Sequence, residues 1–368
     1  MKMRFATASA KGKDRHGRAV KAATTVFADH DAAAAQSIFV SHAVPDPSYL
    51  ALSGLHKVLY VASENSGEGR ISALRLDADG LTLLGSVATG GHAAVHLAID
   101  QTGRWLAVAN YRGEPKSQDL SVAVFPIRVD GMLGDLAASG RHEGSGPDPD
   151  RQATPQTHCV AFSPDNRLLA AVDLGTDGLW LYRFDAATGA LELASQAKLP
   201  AGSGPRHCVF HHREPLVYVC AELDSTLVTL RYDPAAGTAI IVDSDAATKM
   251  PGKGAANKVP RKDANYPSGL AISPDGRYLM LGNRGADTIA IFWIDPETGM
   301  ARYREEVSCG GKFPRAIRLD STGRMLAVAN QKSGNVALFS RDFEGGKLTP
   351  MPHGDFELPS AMDAIFLD

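Results

Sequence analysis

The sequence predicts an all-β chain of repeated four-stranded antiparallel units closed into a ring. Three observations predict it. Short apolar runs rich in Val, Leu and Tyr alternate with Gly, Pro, Asn and Asp turns along nearly the whole length, a pattern of strands rather than helices. One turn recurs six times, as S-G-L-H-K, D-Q-T-G-R, S-P-D-N-R, H-H-R-E-P, S-P-D-G-R and D-S-T-G-R, and its last positions (Lys57, Arg104, Arg167, Pro215, Arg277 and Arg324) are spaced by 47, 63, 48, 62 and 47 residues. The two chain ends look like the halves of one further unit.

Each recurring turn follows a short apolar strand (L-A-L, L-A-I, V-A-F, C-V-F, L-A-I, I-R-L) and precedes a second (V-L-Y-V-A, W-L-A-V-A, L-L-A-A-V, L-V-Y-V-C, Y-L-M-L-G, M-L-A-V-A). A polar turn and a third strand ending near Asp come next, as in Leu179–Asp185, then a weaker fourth strand. Four short strands in about 45 residues is the signature of a β-propeller blade. The C-terminal Pro359–Asp368 has the character of a first strand with nothing after it. Met3–Ser9 resembles a second strand and Ala22–Asp29 a third. Joined in one blade, the termini leave no unpaired sheet edge at the closure. The expectation is a seven-bladed β-propeller, one domain over residues 1–368.

Length alone, 368 residues, would argue for two or three domains, but a closed repeat ring is the usual exception. A net charge of -3 gives no argument for nucleic acid or an anionic membrane as partner. Cys159, Cys208, Cys220 and Cys309 have no C-x-x-C spacing and lie in or beside apolar runs, so buried free thiols are expected. The N-terminal residues lack an apolar leader core, and no run approaches the roughly 18 apolar residues of a membrane span. A cytoplasmic, monomeric protein is expected.

The two long spacings place insertions at about Arg141–Pro155 and Ala247–Tyr266. In an antiparallel blade the first strand starts and the second ends on one face of the ring, and both insertions should rise there. The second is basic (Lys249, Lys253, Lys258, Arg261, Lys262); it would gather an anion or simply form a solvated loop.

The same topology gathers scattered residues at the channel mouth on that face. Nine positions before each reference turn residue stand Ser48, Val95, His158, Arg206, Ser268 and Arg315; beside them stand Tyr49, His96, Cys159, His207, Gly269 and Ala316. The second strands end in Glu64, Asn110, Tyr111, Asp173, Glu222, Asn283, Arg284, Asn330 and Gln331. A regular scaffold wants small or apolar residues at its strand ends, so uneven polarity marks a site. Asp173, Asn110, Asn283 and Asn330 are equivalent in four blades and fit turn caps. Asp177, Asp224 and Asp287 fit structural turns, and His211 and His212 are expected to face solvent on the opposite side. Two arginines can hold a carboxylate or phosphate. A histidine beside a carboxylate can act as general base or acid. No nucleophile elbow, H-E-x-x-H, Walker loop or dinucleotide fingerprint is present, so no metal or cofactor is expected.

These motifs carry a resemblance over nearly the whole chain. Q-T-H-C-V-A-F-S-P-D with D-L-G-T-D, G-P-R-H, E-L-D-S-T, N-R-G-A-D-T, and G-K-F-P-R with A-N-Q-K-S-G-N resemble the seven-bladed propeller lactonases, the group of bacterial propeller-type 6-phosphogluconolactonase and fungal 3-carboxy-cis,cis-muconate cyclase. The resemblance implies His158, Arg206, Glu222 and Arg284 as functional residues, with His207, Arg315 and Gln331 accessory; His96 and Tyr111 join the substrate-binding set from the ring. It implies metal-independent hydrolysis of a small anionic sugar lactone such as 6-phosphogluconolactone, with His158 or Glu222 activating water. Two other readings stand beside it: a cycloisomerase acting on a carboxylated muconate, and a non-catalytic interaction platform.

Overall fold

The computed structural model describes residues 4–13, 18–28, 36–64, 67–112, 119–249 and 264–367. They form seven blades around a central channel. The closing blade runs, across its sheet, Ala361–Phe366, Arg4–Ser9, Ala23–Ala28 and Gln36–Ser41. Blades 1 to 6 follow in chain order. Their innermost strands are Pro47–Ser53, the end of Leu81–Ile99, Thr157–Phe162, Pro205–Phe210, Tyr266–Ile272 and Pro314–Leu319. Among the described residues no helix is long and apolar enough to cross a membrane.

One departure from the regular unit is the 19-residue strand Leu81–Ile99. It is the outer strand of blade 1 and continues into the inner strand of blade 2, merging both into one sheet. The outermost strand of blade 2, Ala138–Gly140, is correspondingly short.

Every blade is buried on both faces, which is why second strands such as Leu168–Asp173 and Leu216–Ala221 are buried along their whole length. A core cluster fills each gap between neighbours. Leu179 and Leu181 of blade 3 meet Val217 and Val219 of blade 4, and Phe5 and Phe366 of the closing blade meet Leu338 and Phe356 of blade 6. All four cysteines are buried and free.

The turn after the second strand has a fixed geometry. Its fourth position takes left-handed backbone in Asp177 (φ 49), Ser225 (φ 65), Asp287 (φ 55) and Gly334 (φ 69). Short polar residues and glycine tolerate this conformation. The strand-end side chains bond the facing loops: Asn110 Nδ2 donates to Leu120 O at 2.8 Å, Asn283 Nδ2 to Ala247 O at 2.9 Å and Asn330 Nδ2 to Cys309 O at 3.0 Å.

His211 departs from its expected exposure. It is buried, its Nδ1 accepts from the amides of Arg213 (3.2 Å) and Glu214 (2.9 Å), and its Nε2 lies 3.2 Å from Gly276 O. The imidazole does the turn-capping work that Ser163 and Ser273 do in other blades, where their hydroxyls accept from Leu168 and Tyr278 amides at 3.0 Å.

The ring closure is tied by one buried carboxylate. Asp363 of the closing blade accepts from Arg318 of blade 6 (Nε 3.1 Å, Nη2 2.8 Å) and from the Leu50 amide of blade 1 (3.0 Å). The Arg318 guanidinium also lies 4.1 Å from the Tyr49 ring centre. Removing one partner of such a buried pair strands the other charge. Asp363→Ala is therefore expected to lower unfolding free energy by about 3–5 kcal/mol, read by urea denaturation; an unchanged midpoint would show that the closure does not depend on it.

Candidate active site

A β-bulge recurs at the same place in every blade. The inner-strand register slips at Ser48, Val95, His158, Arg206, Ser268–Gly269, Arg315 and Met362. A bulge leaves one residue without a partner and re-aims its side chain. Where the residue is serine, its hydroxyl turns to backbone: Ser48 Oγ donates to Ala94 O at 3.2 Å and Ser268 Oγ to Gly282 O at 3.0 Å. In blades 3 and 4 the same position holds His158 and Arg206.

Around them gathers a buried charge cluster. Glu222, the residue after the second strand of blade 4, accepts from Arg151 Nη2 at 2.7 Å on Oε1 and from Arg284 Nη2 at 2.5 Å on Oε2. Arg206 Nε is also 2.9 Å from Oε2. Its N–H, however, makes no aligned hydrogen bond, so this contact is a charge contact rather than a directed bond. One carboxylate thus faces three guanidiniums. Burial pushes the Glu222 carboxyl up, but Arg284, Arg151 and Arg206 outweigh it and hold the group well below the usual carboxylate range. Burial and the neighbouring Arg284 push Arg206 down to about 9. Arg284 is steadied by Tyr266 O (3.0 Å from Nε) and lies 5.2 Å from the Phe313 ring centre.

His158 sits beside this cluster. Its ring meets Tyr111 edge-on at 5.0 Å and His207 at 5.4 Å. Burial, then the Arg206 charge, hold its pKa well below the ordinary imidazole value, so it is neutral at pH 7. Its Nδ1 is buried and has no hydrogen-bond partner among the described residues. Deeper in the channel, Arg206 Nη1 lies 3.1 Å from His207 Nε2, the His207 and His96 rings meet at 5.0 Å, and His96 Nε2 lies 2.5 Å from the Tyr49 hydroxyl.

Of the residues singled out from sequence, the structure brings together His158, Arg206, Glu222, Arg284 and Tyr111, with His207 and His96 beneath. Arg315 reaches the mouth but pairs with Glu64; its charge still acts on His158 and Arg206. Gln331 lies toward the closing blade, where its Nε2 is 3.3 Å from Met362 Sδ. It lines a separate cleft of about 460 Å³ with Lys332, Asp355 and Ser360. Among the described residues no group of three or more His, Cys, Asp or Glu side chains is placed to hold a metal.

Arg151 was not among the sequence candidates. It comes from the first insertion, which is an anchored wall. His142 is stacked on Trp180 at 4.2 Å with its Nδ1 2.7 Å from Asp173 Oδ2. Gln152, fully buried, donates from Nε2 to Leu174 O at 2.8 Å and to Asp177 Oδ1 at 2.7 Å. Beside that anchor, Arg151 reaches both Glu222 and the Tyr111 hydroxyl (3.2 Å). The only sequence signal was a cation in a loop bound for the correct face. Of the basic run in the second insertion, Lys253, Lys258, Arg261 and Lys262 lie outside the described residues.

The family described as "Lactonase, 7-bladed beta-propeller" matches residues 6–366. The chain belongs to this family. This propeller lactonase-family chain is 32% identical over 309 residues to the 6-phosphogluconolactonase of Bacillus subtilis, covering 83% of each chain. A relative from Formosa agariphila with the same name is 31% identical over 328 residues, covering 86% of this chain and 88% of its own. Among solved structures, the periplasmic gluconolactonase of Pseudomonas aeruginosa superposes with a TM-score of 0.82 at 28% identity, covering 100% of this chain and 99% of the other.

The charge cluster makes Glu222 a stability determinant with a defined sign. Its folded pKa is depressed, so its contribution is present above the ordinary carboxylate pKa and is lost as pH falls toward the folded value. Glu222→Gln is expected to cost about 3–5 kcal/mol at pH 7, with the deficit shrinking in urea titrations at pH 3. A deficit that does not change with pH would contradict the ion-cluster account.

Proposed function

We propose that this chain hydrolyses a sugar lactone bearing an anionic group, 6-phosphogluconolactone fitting best. The observation that carries the reading is the charge imbalance at the channel mouth, where three guanidiniums meet one carboxylate. Such a pocket favours an anion, and relatives of this chain are named 6-phosphogluconolactonase.

His158 is the general base in this reading. Its neutral imidazole can take a proton from water as the oxygen adds to the lactone carbonyl. Arg206, whose charge is incompletely matched by Glu222, stabilises the developing oxyanion. Collapse of the tetrahedral intermediate breaks the bond to the ring oxygen, which leaves with the proton from His158. The products are a freed hydroxyl and a carboxylic acid, which ionises at neutral pH and releases its proton to solvent. Glu222 is a poor base, because three arginines hold it ionised well below the usual carboxylate range; it positions Arg206 and Arg284 instead. Of His158 and Glu222, the histidine suits water activation.

A phosphorylated sugar does not cross a bilayer unaided, because a desolvated charge is costly. The proposal therefore carries a cytoplasmic location, tested by cell fractionation.

His158→Asn is expected to lower kcat about 10²- to 10⁴-fold, followed by proton release above the spontaneous rate. Because the imidazole is held below its ordinary range, activity should stay flat through neutral pH and fall only in more acidic solution, as His158 protonates. One atom of solvent oxygen should enter the product in 18O-labelled water. A product without it would point to cycloisomerisation, and no turnover by the unmodified protein would remove the lactonase reading.

A further inference from the structure

The three arginines on Glu222 are not equivalent. The Arg206 side chain is 2% exposed and Arg284 8%, whereas Arg151 is 20% exposed. Arg206 and Arg284 share Oε2, while Arg151 alone holds Oε1. Arg206 and Arg284 arise from the propeller strands themselves, but Arg151 arrives on the anchored insertion. Arg284 is further tied to backbone carbonyls of Tyr266 and Pro267. Among the described residues, the polar contacts of the Arg151 side chain are to two side chains, Glu222 and Tyr111. It is therefore the guanidinium that can turn to an incoming ligand while Glu222 keeps two cations on its other oxygen.

Its position adds a second argument. Tyr111 connects Arg151 to His158: the hydroxyl accepts from Arg151 Nη2 and the ring edge meets His158. A ligand group held by Arg151 is thus held at the rim of the channel, beside the candidate base but nearer solvent. A sugar lactone has its carbonyl at one end and a terminal phosphate at the other. Seating the carbonyl at His158 and Arg206 leaves the phosphate near the rim.

We propose that Arg151 is a specificity-determining residue that turns from Glu222 Oε1 to take the terminal phosphate of the substrate, an inference that rests on the lactonase reading of this site. A guanidinium matches phosphate by paired charge-assisted hydrogen bonds, and the Tyr111 hydroxyl is placed to hold the same group. The two anchors, His142 on Asp173 and Gln152 on Asp177, keep the loop base fixed while the side chain changes partner.

The test compares the unmodified protein with R151Q and R151K on 6-phosphogluconolactone and on unphosphorylated gluconolactone. In parallel, calorimetry measures binding of 6-phosphogluconate and of gluconate. For R151Q, KM for the phosphorylated lactone should rise about 10- to 100-fold, the worth of one or two charge-assisted hydrogen bonds. The unphosphorylated reaction should lose less than the phosphorylated one by that factor, and R151K should recover part of the selectivity. Equal losses on both lactones, or none on either, would overturn the assignment. If the unmodified protein hydrolyses neither lactone, the lactonase reading fails. Selective loss of 6-phosphogluconate binding in R151Q would then still support Arg151 as the phosphate residue, and equal binding by both proteins would refute it.

Discussion

A single buried carboxylate surrounded by three guanidiniums organises this site. Glu222 is held by residues from three places in the chain: Arg206 on its own blade, Arg284 on the next, and Arg151 on an insertion. Neither partner in such a cluster is stable alone. Without Glu222 three cations would face each other in a desolvated space, and without the cations the carboxylate would be buried unpaired. One negative charge against three positive ones leaves the cluster with an excess of positive charge. Beside it, burial first and then the Arg206 charge lower the basicity of His158.

The scaffold contributes a repeated backbone device. The inner strand of every blade carries a bulge at the same height, and the bulged residue is aimed differently from its neighbours. Most blades fill that place with serine, valine, methionine or an arginine engaged elsewhere. Adjacent blades 3 and 4 fill it with His158 and Arg206. Next to it, the ends of the second strands supply Tyr111, Glu222 and Arg284. The propeller offers seven equivalent positions, and the site arises where neighbouring positions hold complementary chemistry.

Much of this was legible in the chain. The spacing of the recurring turn revealed the blades, and the two termini revealed the closing blade, because a sheet edge at the closure would be left unpaired. His158, Arg206, Glu222 and Arg284 stood out because they were polar at strand ends where a repeat prefers small or apolar residues. Less was legible where side chains choose between partners. His211 was assigned to solvent by its turn position, yet it is buried as a cap. Arg315 and Gln331 shared the column of the site residues but are engaged toward Glu64 and Met362. Arg151 lacked any periodic register that would have pointed to it.

What the sequence by itself determined is the architecture: strand period, turn chemistry and repeat spacing are local properties, and they specify the ring and the face on which polar strand ends converge. What only the tertiary structure decided is the pairing within that face. Whether Glu222 serves as a base or as a counter-ion depends on how many cations reach it. One of them travels in on an insertion held by two buried side chains more than twenty residues from their partners. Such long-range electrostatics depend on distances and burial, which no linear pattern of residues encodes.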